Sequence, residues 1–173
     1  MSNGQTKKFK ARWSVVLWVM TLLIVALVVF LVGFSLTTGN AFQQLTGIII
    51  AAILCVSVLF SPGCFYVTDD SVIVKRPGPD VVIRISDIEE IRRIRLREFG
   101  FCIRTFGVGG FFGYYGKFYS FRIGRFNAYA TNPKSLVLII CNDGKKYVLS
   151  PEGVDEFVEM VKQIIETDNE TAL

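Results

Sequence analysis

The sequence predicts a two-helix transmembrane hairpin followed by a mainly β barrel of about seven short antiparallel strands, closed by one C-terminal α-helix. Three observations predict it. Residues 13–68 contain no Asp, Glu, Lys or Arg, whereas all 15 acids follow from Asp69 onward. Beyond that stretch, short runs of β-branched and aromatic residues alternate with clusters of Gly, Pro, Asn and Asp, the signature of strands joined by turns. Near the end, a single apolar stripe recurs at helical spacing behind a set of helix-start signals. With 51% hydrophobic and 20% charged residues, a disordered chain, a collagen-like or coiled-coil fibre and a fully soluble enzyme are excluded.

Crossing about 30 Å of hydrocarbon takes roughly 20 apolar residues as a helix, and residues 13–36 supply such a run without a charge. The run exceeds the roughly 7–15 apolar residues of a signal peptide. A polar, uncharged turn with Gly39-Asn40 follows, then a second helix over about 42–60, stopped by Ser61-Pro62-Gly63. Lys7, Lys8, Lys10 and Arg12 precede the first helix, the connecting loop carries no charge, and Lys75, Arg76 and Arg84 follow the second. Basic residues near a bilayer stay cytoplasmic, so both termini are expected there. Gly47, Ala51 and Cys55 recur four apart on one face of the second helix, a small-residue spacing that allows close helix packing. That packing is within the hairpin or between protomers, unless the small residues recur there by chance. The layout is a basic N-terminus over 1–12, the hairpin over 13–62, the β domain over 63–166 and a frayed tail over 167–173.

In the β domain, Phe65-Tyr66-Val67 ends at Asp69-Asp70, Val72 to Lys75 ends at Pro77-Gly78, and Val81 to Ile85 ends at Ser86-Asp87. Ile94 and Leu96 alternate with Arg93, Arg95 and Arg97, the period of a half-buried strand with a basic outer face. Residues 101–106 and 126–130 read as further strands. Residues 136–141 and 145–149 flank Asn142-Asp143-Gly144, and Asp-Gly supplies the positive φ of a tight hairpin turn. Ser150 is placed as N-cap with Pro151 at the first helical position and Glu152, Asp155 and Glu156 at the positive end of the dipole. Val154, Phe157, Val158, Val161, Ile164 and Ile165 then form one apolar face.

The chemistry readable from the residues is sparse. There is no histidine, which removes the usual general base and the commonest zinc ligand. Cys55, Cys64, Cys102 and Cys141 form no C-x-x-C pair, so no metal site, cofactor or disulfide framework is expected. The glycines from Gly107 to Gly113 lack the Lys-Ser/Thr and the following helix of a phosphate loop and read as sites for bends and bulges. Asp69-Asp70 and Glu89-Glu90 would point to opposite faces of a strand and form no acid/base couple. After the N-terminal cluster the remaining basic residues balance the acids, so no nucleic-acid partner is expected.

Arg104-Thr105-Phe106-Gly107, Gly113-Tyr114-Tyr115-Gly116-Lys117-Phe118, Asn127-Ala128-Tyr129-Ala130-Thr131 and Leu149-Ser150-Pro151-Glu152 with Phe157 carry a likeness over about residues 62–165. As a set they resemble the bacterial pleckstrin-homology (PH)-like domain proteins. The resemblance implies a PH-like barrel behind one or two N-terminal membrane helices, in the bacterial cytoplasmic (inner) membrane, with no active site. The expected function is therefore a non-enzymatic, membrane-anchored binding module for a protein partner or a lipid headgroup, with homo-oligomers open. The alternative is an accessory subunit of a membrane enzyme or transporter that packs through its hairpin. Phe111, Phe112, Tyr114 and Tyr115 are candidates to touch lipid or partner, since so many aromatics suit either a contact loop or the filling of a barrel. Lys75 and Arg76 are the candidate headgroup cations.

Overall fold

The computed structural model describes residues 6–11, 15–38, 41–58, 62–109 and 114–171. A first strand, β1 (Lys7–Lys10), precedes two helices, α1 (Val15–Thr38) and α2 (Ala41–Val58). Then come β2 (Cys64–Val67), β3 (Ser71–Lys75), β4 (Val81–Arg84), a 3₁₀ turn (Ile85–Asp87), β5 (Ile88–Ile94) and the one-turn helix α3 (Leu96–Phe99). The chain continues through β6 (Cys102–Gly109), β7 (Tyr114–Ser120), β8 (Gly124–Ala130), β9 (Leu136–Cys141) and β10 (Lys146–Leu149), and ends on α4 (Val154–Thr171).

The strands form two sheets, ordered β1-β2-β3-β4 and β5-β9-β10-β8-β7-β6. A closed barrel of about seven antiparallel strands is thereby corrected. The ladder breaks at the 3₁₀ turn, so β4 and β5 fall in different sheets, and β6 is left as an edge. The pairing is not wholly antiparallel either, because β10 inserts between β9 and β8 and runs parallel to β8. The basic N-terminal segment supplies β1, whose Phe9 pairs in register with Phe65 and is buried.

Period-two alternation explains the core. On β9, Val137, Ile139 and Cys141 join Phe65, Val67, Val72 and Val74 of the smaller sheet together with Val154, Phe157 and Val161 of α4. Leu136 and Leu138 face the other way, into a second cluster with Ile94, Phe99, Phe126 and Val148. Helix α4 thus covers only one face of the larger sheet. It begins at Val154, three residues beyond the expected Pro151, because Pro151 is held in a bridge to Ala11 and the Glu152 N–H donates to the Lys10 carbonyl at 2.9 Å. The Ser150 hydroxyl, buried, instead accepts the Thr131 N–H at 2.8 Å. Strand β5 stops at Ile94, short of the alternation read through Arg97, because the Glu98 carboxylate accepts the Arg95 N–H at 2.8 Å and starts α3.

Helices α1 and α2 pack on each other, and among their described side chains Leu22, Leu27, Phe30, Phe34, Ile48 and Ile53 are exposed. Among the described residues no helix is long and apolar enough to cross a membrane. This overturns the expected transmembrane hairpin, and with it the multi-pass membrane placement with both termini cytoplasmic. Helix α2 brings Gln43, Gln44 and Thr46 into its first turns. The Gly39-Asn40 turn and Ser61 lie outside the described residues.

The Phe157 ring is fully buried and meets Phe9 edge-on, with centroids 5.1 Å apart. Phe157→Ala is expected to cost about 3–5 kcal/mol, and Phe9→Ala to couple to it by about 0.5–1.5 kcal/mol in a double-mutant cycle. Urea denaturation of the full chain measures both, and a cost below about 1 kcal/mol for Phe157→Ala would show that α4 is not held as described.

Candidate functional site

The face of the larger sheet turned away from α4 carries an apolar cleft of about 240 Å³. Its floor is built by alternation on β8, where Phe126, Ala128 and Ala130 point inward while Asn127 and Tyr129 point to the opposite face. Phe118 of β7 stacks on Phe126 with centroids 5.7 Å apart, and Phe99 of α3 closes on the same ring at 5.2 Å. Leu136 and Val148 line the side toward β9 and β10. The rim is formed by Leu96, Cys102, Arg104, Tyr114 and Pro133.

The depression has a plain cause: absent side chains. Gly107, Gly116 and Ala128 stand opposite one another on three adjacent strands, so nothing larger than a methyl group rises from that row. Gly116 has φ 121°, a conformation that side chains with a Cβ rarely adopt. A register shift between Arg104 and Phe106 inserts Thr105 as a bulge, and its hydroxyl donates to the Lys117 carbonyl at 2.9 Å.

The electrostatics are one-sided. Between Phe99 and Asn142 the sequence contains no Asp or Glu. Arg104 on the cleft rim, with exposed Arg97, Lys117 and Arg125 on the neighbouring elements, has no ion pair among the described residues. Burial pushes the Cys102 thiol above its ordinary value, offset in part by a hydrogen bond with Ser120. On the other face, burial with the nearby Asp143 and Asp87 carboxylates pushes the Cys141 thiol up to about 11.

The residues singled out from sequence scatter. Tyr114 reaches the cleft rim, 42% exposed, whereas Tyr115 is buried. Phe111 and Phe112 lie outside the described residues. Lys75 ends β3 of the smaller sheet and Arg76 follows it in the connection to β4, both away from the cleft. Lys75 is ion-paired to Asp80 at 2.7 Å, an exposed pair that holds the ammonium above and the carboxyl below its ordinary range. Arg76 donates to the Pro79 carbonyl and lies over the Tyr129 ring at 5.6 Å. Gly47 and Ala51 are half-buried on α2, and Cys55 lies on the same helix. The cleft itself went unread in the sequence, although the alternation Phe126, Ala128, Ala130 carried the signal: small inward residues beside a large one leave a hollow. Among the described residues no group of His, Cys, Asp and Glu could hold a metal ion.

Residues 64–165 match a family model described as a bacterial PH domain. No curated protein and no solved structure matches the chain.

The two faces of the sheet predict different thiol chemistry. Maleimide at mildly alkaline pH is expected to label exposed Cys102 in the native chain and buried Cys141 only in denaturant, because reaction needs both access and thiolate. Peptide mass mapping reads the outcome, and native labelling of Cys141 would contradict the burial of that strand face.

Proposed function

Because the chain belongs to the bacterial PH domain family, we propose that it is a binding module and that its cleft seats an apolar anchor of a protein partner. PH-like domains are generally non-catalytic binding modules. The observation that carries the reading is the apolar hollow left open on the face of the larger sheet that α4 does not cover. Its size favours one class of occupant. At about 240 Å³ it falls below the roughly 300–1,000 Å³ of small-molecule and cofactor sites and suits one or two side chains of a larger partner. Apolar area withdrawn from water there contributes about 25 cal/mol per Å². A buried apolar anchor ringed by polar residues is the usual centre of a protein interface.

The lipid-headgroup reading is the weaker one on this geometry. Its candidate cations, Lys75 and Arg76, are already engaged with Asp80, Pro79 and Tyr129 and stand away from the cleft.

A photoreactive phenylalanine analogue placed at Tyr114 in the full chain, expressed in cells, tests the reading. The expected result is a protein adduct of defined mass that disappears when Ala128→Phe or Ala130→Leu fills the floor. Adducts indifferent to both fillings, or none with protein, would sink it.

A further inference from the structure

We propose that the free edge of β6 is a strand-addition site for an extended segment of a partner protein that carries both apolar and acidic side chains. This rests on the reading that the cleft face binds a protein, and adds the partner's backbone conformation and charge.

An edge strand presents unpaired N–H and C=O groups, and proteins normally blunt such edges with charge, shortness or a covering element. Three of the four edges here are blunted. Strand β1 carries Lys7, Lys8 and Lys10, β4 is four residues long, and β5 is packed by α4 and studded with Glu89, Glu90, Arg92 and Arg93. Strand β6 is different. It spans eight residues, bulges once at Thr105, is paired among the described residues by β7 alone, and holds Arg104 as its single charge.

Both sides of that edge offer apolar surface. Cys102 and Arg104 face the cleft, so by the strand pleat Ile103 points to the opposite side, where it stands beside Tyr119. There Phe101 and Phe121 are 70% and 67% exposed, with ring centroids 6.1 Å apart, and Tyr119 meets Phe121 edge-on. An added strand would place alternate side chains against the cleft rim and against this aromatic strip, while its backbone completes the ladder. Charge selects the occupant. The stretch from Phe99 to Asn142 carries Arg104, Lys117, Arg122, Arg125 and Lys134 and no acid. A second copy of the chain would set this surface against itself, whereas a segment with Asp or Glu beside Arg104 complements it.

Selection of short random peptides displayed on phage against the full chain tests the proposal. Winning peptides, synthesised, are expected to alternate apolar residues with Asp or Glu and to slow amide exchange within residues 102–105. Ile103→Lys and Arg104→Glu, both at exposed positions, should each weaken binding about tenfold or more with the thermal midpoint retained. No binders, binders without acidic residues, or protection confined to other strands would overturn strand addition. Binding that survives both edge variants and is lost on Ala128→Phe would overturn it while leaving the cleft reading intact; binding lost at the edge and indifferent to Ala128→Phe would remove the cleft reading instead. A concentration-dependent dimer abolished by Ile103→Lys would replace the partner with a second copy.

Discussion

Strand β9 has to be buried on both faces, and the rest of the domain is arranged around that demand. Its six residues, Leu136 to Cys141, are all apolar, and five of them are buried. A strand of this kind cannot sit at a solvent-facing position, because either exposed face would leave large aliphatic side chains in water at about 25 cal/mol per Å². Pairing to β5 on one side and β10 on the other places it inside the larger sheet. The smaller sheet and α4 then cover the Val137, Ile139 and Cys141 face, and a second cluster forms over Leu136 and Leu138.

The asymmetry of those two coverings creates the site. Helix α4 and the smaller sheet are shared out over β5, β9 and β10, and no described side chain of β6 or β7 joins the first cluster. The β6-β7 hairpin therefore extends the sheet past its cover. On the second face the lid among the described residues is the single turn of α3, anchored by Phe99. With glycine and alanine in the row across β6, β7 and β8, the layer cannot fill the space beneath that lid, and a hollow with aromatic walls remains.

Charge is arranged by region rather than by pair. The ion pairs on the described surface, such as Arg93 with Asp155 at 3.1 Å and Lys7 with Glu156 at 2.5 Å, join exposed side chains, and pairs of that kind contribute about 0–1 kcal/mol each. Their effect is to tie β5 and β1 to the acidic start of α4, so the acids of the C-terminal helix are drawn to one end of the molecule. Among the described residues the basic side chains of β6, β7 and β8 have no ion pair, which sets an anion-attracting potential around the cleft.

Much of the β domain was legible in local sequence because its signals are local. The Asp143-Gly144 turn, with Gly144 at φ 78°, and the α4 stripe of Val154, Phe157 and Val161 depend only on residues a few places apart. The likeness over about residues 62–165 reached the family shown by the match over 64–165 for a related reason, since the pieces that carry it are short local motifs within the matched residues. Alternation along β8 and β9 also determined which residues share a face, but not what each face would meet. That was decided by pairing between distant segments: Lys7–Lys10 joining β2, β10 running parallel to β8, and the 3₁₀ turn splitting the strands into two sheets instead of one closed barrel. The cleft arises from three small residues brought side by side from positions 107, 116 and 128. No window of sequence contains that row, because strand register, a long-range property, is what assembles it.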